Sequence, residues 1–331
     1  MKNRVFTQNR IVFILVAVLF VFVIQSISNA QGRGKIYWTE TAEAWRSDIG
    51  KIKRANLNGT AAEDLVTGLF GPVDIALDFQ NRKMYWTDRT AEKIQRSNLD
   101  GTNIEVIVKK DTLTISPNCI ALDVKSNKIY WGNWRRDIIQ RANLDGSDVE
   151  SLPIKERILP QNFLIHQFVS AQNIELDLKA RKLYWTDVFG KKIASANLDG
   201  SDAKDLVTKN QGVYGLALDL QTRQMYWSNI VTGKIQSSNL NGRNVKDIVT
   251  GLKFPRGIEL DMRSRKIYWT VWDWEASTYK IQRANLDGSN VRGILTGLNI
   301  SSSIALDTEG FYDVDPDTNK LTTTWANMKI Q

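Results

Sequence analysis

The stretch "KLYWTDVFGKKIASANLDG", Lys182–Gly200, decides the fold. It holds two short runs rich in Leu, Tyr, Trp and Ile, separated by Asp-Val-Phe-Gly and closed by Asn-Leu-Asp-Gly. Short apolar runs bounded by Asn, Asp and Gly are strands. Asp-Gly at the end predicts a tight hairpin with positive φ at both central residues. Nothing in it has the period of a helix.

The same pattern recurs along the chain. Tyr-Trp occurs six times: Tyr37-Trp38, Tyr85-Trp86, Tyr130-Trp131, Tyr184-Trp185, Tyr226-Trp227 and Tyr268-Trp269. Asn-Leu-(Asp/Asn)-Gly occurs six times, beginning at Asn56, Asn98, Asn143, Asn197, Asn239 and Asn285. A third element ends in Leu-Asp, at Asp78, Asp123, Asp177, Asp219, Asp261 and Asp307. A fourth apolar run follows each hairpin Gly. Four strands in a period of about 42 residues predict propeller blades. The repeats begin with a second strand, "GKIYWT", and end with a spare first strand, Ile304 to Asp307. The expected fold is therefore all-β: a six-bladed propeller of four-stranded antiparallel blades. Its ring is closed by N-terminal strands two to four plus a C-terminal strand one, which removes the open sheet edges.

The motifs "KMYWTD" at 83–88 and "KLYWTD" at 182–187, each followed by "KI" and Asn-Leu-Asp-Gly, resemble the YWTD (class B) repeats of the low-density lipoprotein receptor family. The resemblance spans residues 34–307 and implies a six-bladed propeller. It also implies that the acid in the motif's fourth position is mainly a structural hydrogen-bonding group. That position reads Glu40, Asp88, Asn133, Asp187, Asn229 and Val271, so the departures put blade regularity in question. The cysteine-rich modules that flank such propellers in animal receptors are absent. The expectation is a free-standing secreted member, compatible with a bacterial source.

The N-terminus reads as a leader. Lys2, Arg4 and Arg10 precede the apolar run Ile11 to Ile24, and Ser28-Asn29-Ala30 follows. A basic region, a run too short to span a bilayer and a small-x-small site describe a signal peptide, residues 1–30. The propeller then occupies 34–307, and 308–331 is a C-terminal tail or capping strand. Without the leader the chain has 41 Lys and Arg against 36 Asp and Glu, or +5, which excludes little beyond strongly cationic partners. A single cysteine, Cys119, allows no internal disulfide.

Repeated residues serve the blade, since a site is needed once and a blade six times. The six Tyr-Trp pairs are core, because stacked blades cover both faces of a strand. Function is expected where the repeats differ. The loops joining strands two to three and four to one share one end of the ring, called here the top. The two-to-three loop has 5 residues in four blades, but 11 in the first (Glu40–Gly50) and 9 in the sixth (Val271–Tyr279). Surplus tryptophans and arginines fall there. The candidate binding residues are Trp45, Arg46, Trp134, Arg135, Phe189, Tyr214, Phe254, Arg256, Trp272 and Trp274. Aromatic and Arg side chains on irregular loops over a rigid scaffold describe a binding surface. A 12-residue excess within 153–171 carries the sole histidine, His166.

The bottom end carries basic turns such as "KARK" at 179–182 and "RSRK" at 263–266, opposed by hairpin aspartates. Enzyme signals are thin: no metal-ligand pair and no phosphate loop. Glu175 with Asp177, and Glu259 with Asp261, place two acids on one face of an inner strand. A hydrolase or lyase using them, with calcium as a candidate ion, is the alternative; pairing with Arg or Lys across blades is the simpler expectation. The main reading is a secreted or cell-surface binding module, not an enzyme, with no cofactor. It presents its top face to a protein or glycan. No nucleic acid, no stable membrane span after signal cleavage and a monomer complete the expectation.

Overall fold

The computed structural model describes residues 34–41, 50–109, 115–154, 170–273 and 275–308. Residues 1–33, which include the expected leader, and Trp45, Arg46, Trp274, His166 and residues 309–331 lie outside the described residues.

Six four-stranded antiparallel sheets form the blades of a propeller. In each, the Leu-Asp strand is innermost and the Tyr-Trp strand second. The inner strands of blades two to six are Pro72–Asp78, Pro117–Asp123, Ala171–Asp177, Val213–Asp219 and Pro255–Asp261. The first blade takes its inner strand from the other end of the sequence: Ile304–Asp307 pairs with Lys35–Glu40, with Trp38 opposite Ile304 and Lys35 opposite Asp307. The closure expected from strand order is the one found.

The blades are joined by six buried clusters, each containing the Tyr of one blade and the Trp of the next. Tyr37 shares a cluster with Trp86, Tyr85 with Trp131, Tyr130 with Trp185, Tyr184 with Trp227, Tyr226 with Trp269, and Tyr268 with Trp38. Successive residues of a strand point to opposite faces, so one dipeptide packs both seams of its blade. The third motif residue adds a polar seam. Ser228 Oγ accepts from Gly215 N–H in its own blade and donates to Arg256 C=O in the next, and Thr186 donates to Tyr214 C=O at 2.5 Å.

The Asn-Leu-Asp-Gly turns depart from the expected two-residue hairpin. Gly59 N–H bonds Asn56 C=O, Asn56 N–H bonds Thr60 C=O, and Gly59 alone of the central residues has positive φ. This is a three-residue connection with the glycine in the left-handed region. The Asp at its third position accepts from the backbone two residues on, as Asp199 does from Ser201 N–H at 2.9 Å. The Leu-Asp acids likewise cap bottom turns: Asp177 accepts from Ala180 N–H and Asp261 from Ser264 N–H.

Val271 does not spoil its blade. The second strand of blade six continues through it to Asp273, pairing Val271 with Lys280 and Trp272 with Tyr279. Trp272 therefore belongs to a lengthened strand, not to a loop. Asp88 shows what the acid does elsewhere: its carboxylate accepts from Phe70, Gly71 and Ala91 N–H and ties the two top connections together.

Candidate functional site

The inner strands of blades two to six each carry a bulge at their top end, seen as a register shift between Pro72 and Ile75, Pro117 and Ile120, Ala171 and Asn173, Val213 and Leu216, and Pro255 and Ile258. Bulges re-aim side chains. Here the bulged second residues are Val73, Asn118, Gln172, Tyr214 and Arg256, and they ring the top of the axis.

Two groups of side chains form there. On one side, the Arg89 guanidinium lies 5.7 Å from the Trp134 ring centre and donates to Asn118 Oδ1 at 3.2 Å. Trp134 packs against Phe189 with centroids 5.4 Å apart and a 49° tilt. On the other side, the Arg256 guanidinium sits 5.7 Å from the Tyr214 ring and 5.2 Å from the Tyr279 ring. Tyr279 packs on Trp272 at 4.8 Å. The groups are near enough to interact. Burial holds Arg89 below the ordinary range; nearby Tyr214 opposes that shift, and the positive charge of Arg256 adds to it.

Five of the residues expected from sequence thus come together on the top: Trp134 with Phe189, and Tyr214 with Arg256 and Trp272. Arg135 instead forms an ion pair with Glu92 at 2.7 Å. Phe254 and Phe189 are exposed, at 47% and 60%. Trp45, Arg46 and Trp274 lie outside the described residues, so no contact of theirs is assigned. Sequence reasoning missed Arg89, Tyr279 and Asn118. Arg89 had a usable signal: it follows the motif acid directly, as Trp134 follows Asn133 and Trp272 follows Val271.

Below this row runs an axial cavity of about 270 Å³. Asp74, Asn173, Glu175 and Glu259 line its middle, and Leu77, Leu122, Leu176 and Leu306 its lower part. Asp74 joins three blades, accepting from Ile120 N–H at 2.8 Å, Ile75 N–H at 2.9 Å and the Ser303 hydroxyl. Burial nevertheless pushes it up to about 6. Glu259 is pushed up to about 7, first by burial and then by Asp74, against a hydrogen bond from Leu260 N–H. Glu175 is raised well above its ordinary range, by burial, by Glu259 and by Asp74.

This corrects the pairing of acids read from the strands. Asp177 binds the Arg223 guanidinium of the next blade at 2.7 Å, as expected of a cross-blade pair, but Glu175 does not join it. Asp261 is held in its turn by Ser264, away from Glu259. Glu175 and Glu259 face the cavity instead, with no Lys or Arg at ion-pair distance among the described residues. Nor do any three His, Cys, Asp or Glu among them lie close enough to hold a metal ion.

The fold is a six-bladed Tyr-Trp propeller with a row of aromatic and guanidinium side chains at its top end, of which Tyr279 and Asn118 are buried. A family model for the low-density lipoprotein receptor repeat class B matches residues 82–124 and 181–220. The chain is 35% identical over 79 residues to "Low-density lipoprotein receptor-related protein 1" of Pyricularia oryzae, which covers 23% of this chain and 26% of that protein. It is 37% identical over 82 residues to "Low-density lipoprotein receptor-related protein 5" of Mus musculus, over 24% of this chain and 5% of that one. The match thus spans about a quarter or less of these relatives. Among solved structures, a chain of a nidogen/laminin complex superposes with a TM-score of 0.67 at 23% identity, covering 82% of this chain and 98% of that chain. That likeness shows the shared fold.

Proposed function

We propose that this propeller is an extracellular binding module that takes a protein or glycan partner on its top face and performs no chemistry on it. The observation that carries this reading is the Arg256 guanidinium held between Tyr214 and Tyr279, beside Arg89 on Trp134. Aromatic and Arg side chains dominate binding energy because they offer large, stiff, amphipathic area. Two guanidiniums near enough for one to feel the other's charge favour a partner that brings acceptor or anionic groups. Leader-like residues 1–30 support export, and no helix among the described residues is long and apolar enough to cross a membrane. The chain of similar fold was solved within a nidogen/laminin complex, and a protein is the partner class favoured here.

The test is a capture experiment from host surface extract with the wild-type chain, Trp134→Ala and Arg256→Ala. Partners retained by wild type and lost by both variants support the reading, provided circular dichroism shows the fold intact. Equal capture by all three overturns it. The axial carboxylates favour a second reading, a hydrolase or lyase working through Glu175 and Glu259. Substrate turnover abolished by Glu175→Gln without loss of fold would replace the binding reading with that one.

A further inference from the structure

The polar groups of the axial cavity are not used up by the fold. Glu175 makes no hydrogen bond or ion pair among the described residues, and the charges that act on it are the like charges of Glu259 and Asp74. Glu259 accepts from Leu260 N–H and from no other group among them. Both glutamates lie deep in the ring yet keep part of their surface open, and the open part faces the cavity. An ionised carboxyl in such a place calls for a counter-charge.

A separate observation comes from the amides above them. Gln172 lines the upper part of the cavity and is only 9% exposed. Its buried side-chain nitrogen has no acceptor, although buried amide donors are normally paired. Asn173 spends its side-chain oxygen on Leu216 N–H at 3.2 Å, and its NH2 group has no partner among the described residues. Below the glutamates the wall is apolar, made by Leu77, Leu122, Leu176 and Leu306. The cavity thus offers, from top to bottom, amide donors, carboxylates and leucines. Gln172 and Glu175 are three residues apart on one strand, within about 10 Å.

We propose that the axial cavity is a second binding site, separate from the top row, for a small primary amine. Its ammonium sits between Glu175 and Glu259, an oxygen on the adjacent carbon accepts from Gln172 and Asn173, and its apolar side chain lies among the leucines. A cavity of about 150 Å³ already holds a six-carbon ring, so about 270 Å³ suits a molecule of roughly ten non-hydrogen atoms. An ammonium suits the site better than a metal ion, since no three acids converge and amide N–H groups cannot ligate a metal. A free amino amide and the N-terminal residue of a polypeptide entering past Tyr214 offer the same chemistry.

Calorimetric titration of the full chain at pH 7 tests this, with leucinamide as the probe and its neutral N-acetyl derivative as the control. Leucinamide should bind about tenfold or more tightly than the control, because only it brings the counter-charge. Glu175→Gln/Glu259→Gln should abolish that preference while circular dichroism shows the fold intact. Leu176→Phe, which fills the lower part, should weaken leucinamide by about fivefold or more. Trp134→Ala should leave it unchanged, which separates this site from the top row. Equal or undetectable binding of the two compounds by wild type overturns the proposal, and that comparison needs no variant. Displacement of leucinamide by calcium also overturns it, by giving the acids to a metal ion. Leu-Gly-Gly-amide distinguishes the sources: binding as tight as leucinamide assigns the site to a polypeptide N-terminus, and loss of binding assigns it to a free small amine.

Discussion

Tyr268 of the sixth blade and Trp38 of the first lie in one buried cluster, although they stand at opposite ends of the repeat array. The cluster also holds Ile304 and Leu306, the strand that closes the first blade. Ring closure is thus made twice over, by the ladder between Lys35–Glu40 and Ile304–Asp307 and by the same Tyr-on-Trp packing that joins every other pair of blades. Trp38→Ala should cost about 3–5 kcal/mol through the lost burial and the cavity it leaves. Urea unfolding followed by intrinsic fluorescence gives the value. An equal loss for Trp131→Ala would show that the closing seam is as strong as an internal one; a much smaller loss at Trp38 would show that the ring is held mainly by its strand ladder.

Asp88 makes a second prediction. Its buried carboxylate satisfies three N–H groups, those of Phe70, Gly71 and Ala91, at 2.9–3.1 Å. Asp88→Ala leaves those donors without their acceptor and should destabilise the chain by about 3 kcal/mol, since each buried unpaired donor costs about 1–3 kcal/mol. Asp88→Asn keeps one carbonyl oxygen and should cost less. Denaturant midpoints for the two variants, compared at constant m-value, check the order.

These cases show why so much of the fold was legible. Tyr-Trp, Leu-Asp and Asn-Leu-Asp-Gly recur because each blade needs two packed seams, a capped turn and a hairpin, and the same contacts require the same residues six times. The top row was legible only in part. Trp134 and Trp272 stood out because tryptophan is surplus to the repeat, whereas Arg89 and Tyr279 carry no compositional signal and join the site through the third dimension. The inner acids were misread for a different reason. Alternation places Glu175 and Asp177 on one face of an ideal strand, yet Asp177 is drawn into its turn and onto Arg223, which leaves Glu175 in the cavity. The effect of Val271 was also invisible locally, since whether a ladder continues depends on the facing strand.

The axial carboxylates predict an unusual pH dependence. Asp74, Glu175 and Glu259 all sit above their ordinary values, chiefly through burial. A carboxyl raised in the folded state binds its proton more tightly there than in the unfolded chain. Its stabilising contribution is complete below the unfolded value and is lost as pH rises through the folded one. For Asp74, at about 6, that loss is on the order of 3 kcal/mol between roughly pH 4 and 6. Glu259 extends it to about 7. The chain should therefore be more resistant to denaturant at pH 5 than at pH 8. Glu175→Gln should raise stability at pH 8 and flatten the profile. A wild-type midpoint that is the same at both pH values would count against uncompensated acids at the axis.

Arg256 separates stacking from charge in the top row. Its guanidinium lies between Tyr214 and Tyr279, and its backbone carbonyl is held by the Ser228 hydroxyl of the preceding blade. The side chain can thus be replaced without losing the seam beneath it. Arg256→Lys keeps the positive charge but gives up the planar face that lies against two rings and the fork that binds an acceptor with two N–H groups. If the row recognises its partner by planar, paired hydrogen bonding, Arg256→Lys should weaken binding nearly as much as Arg256→Ala, each by about tenfold or more. If charge alone matters, the lysine variant should bind within about twofold of wild type at low salt and lose that binding as salt is raised. Titrations of both variants at two ionic strengths distinguish these outcomes. Unchanged affinity in both would place the partner elsewhere on the ring.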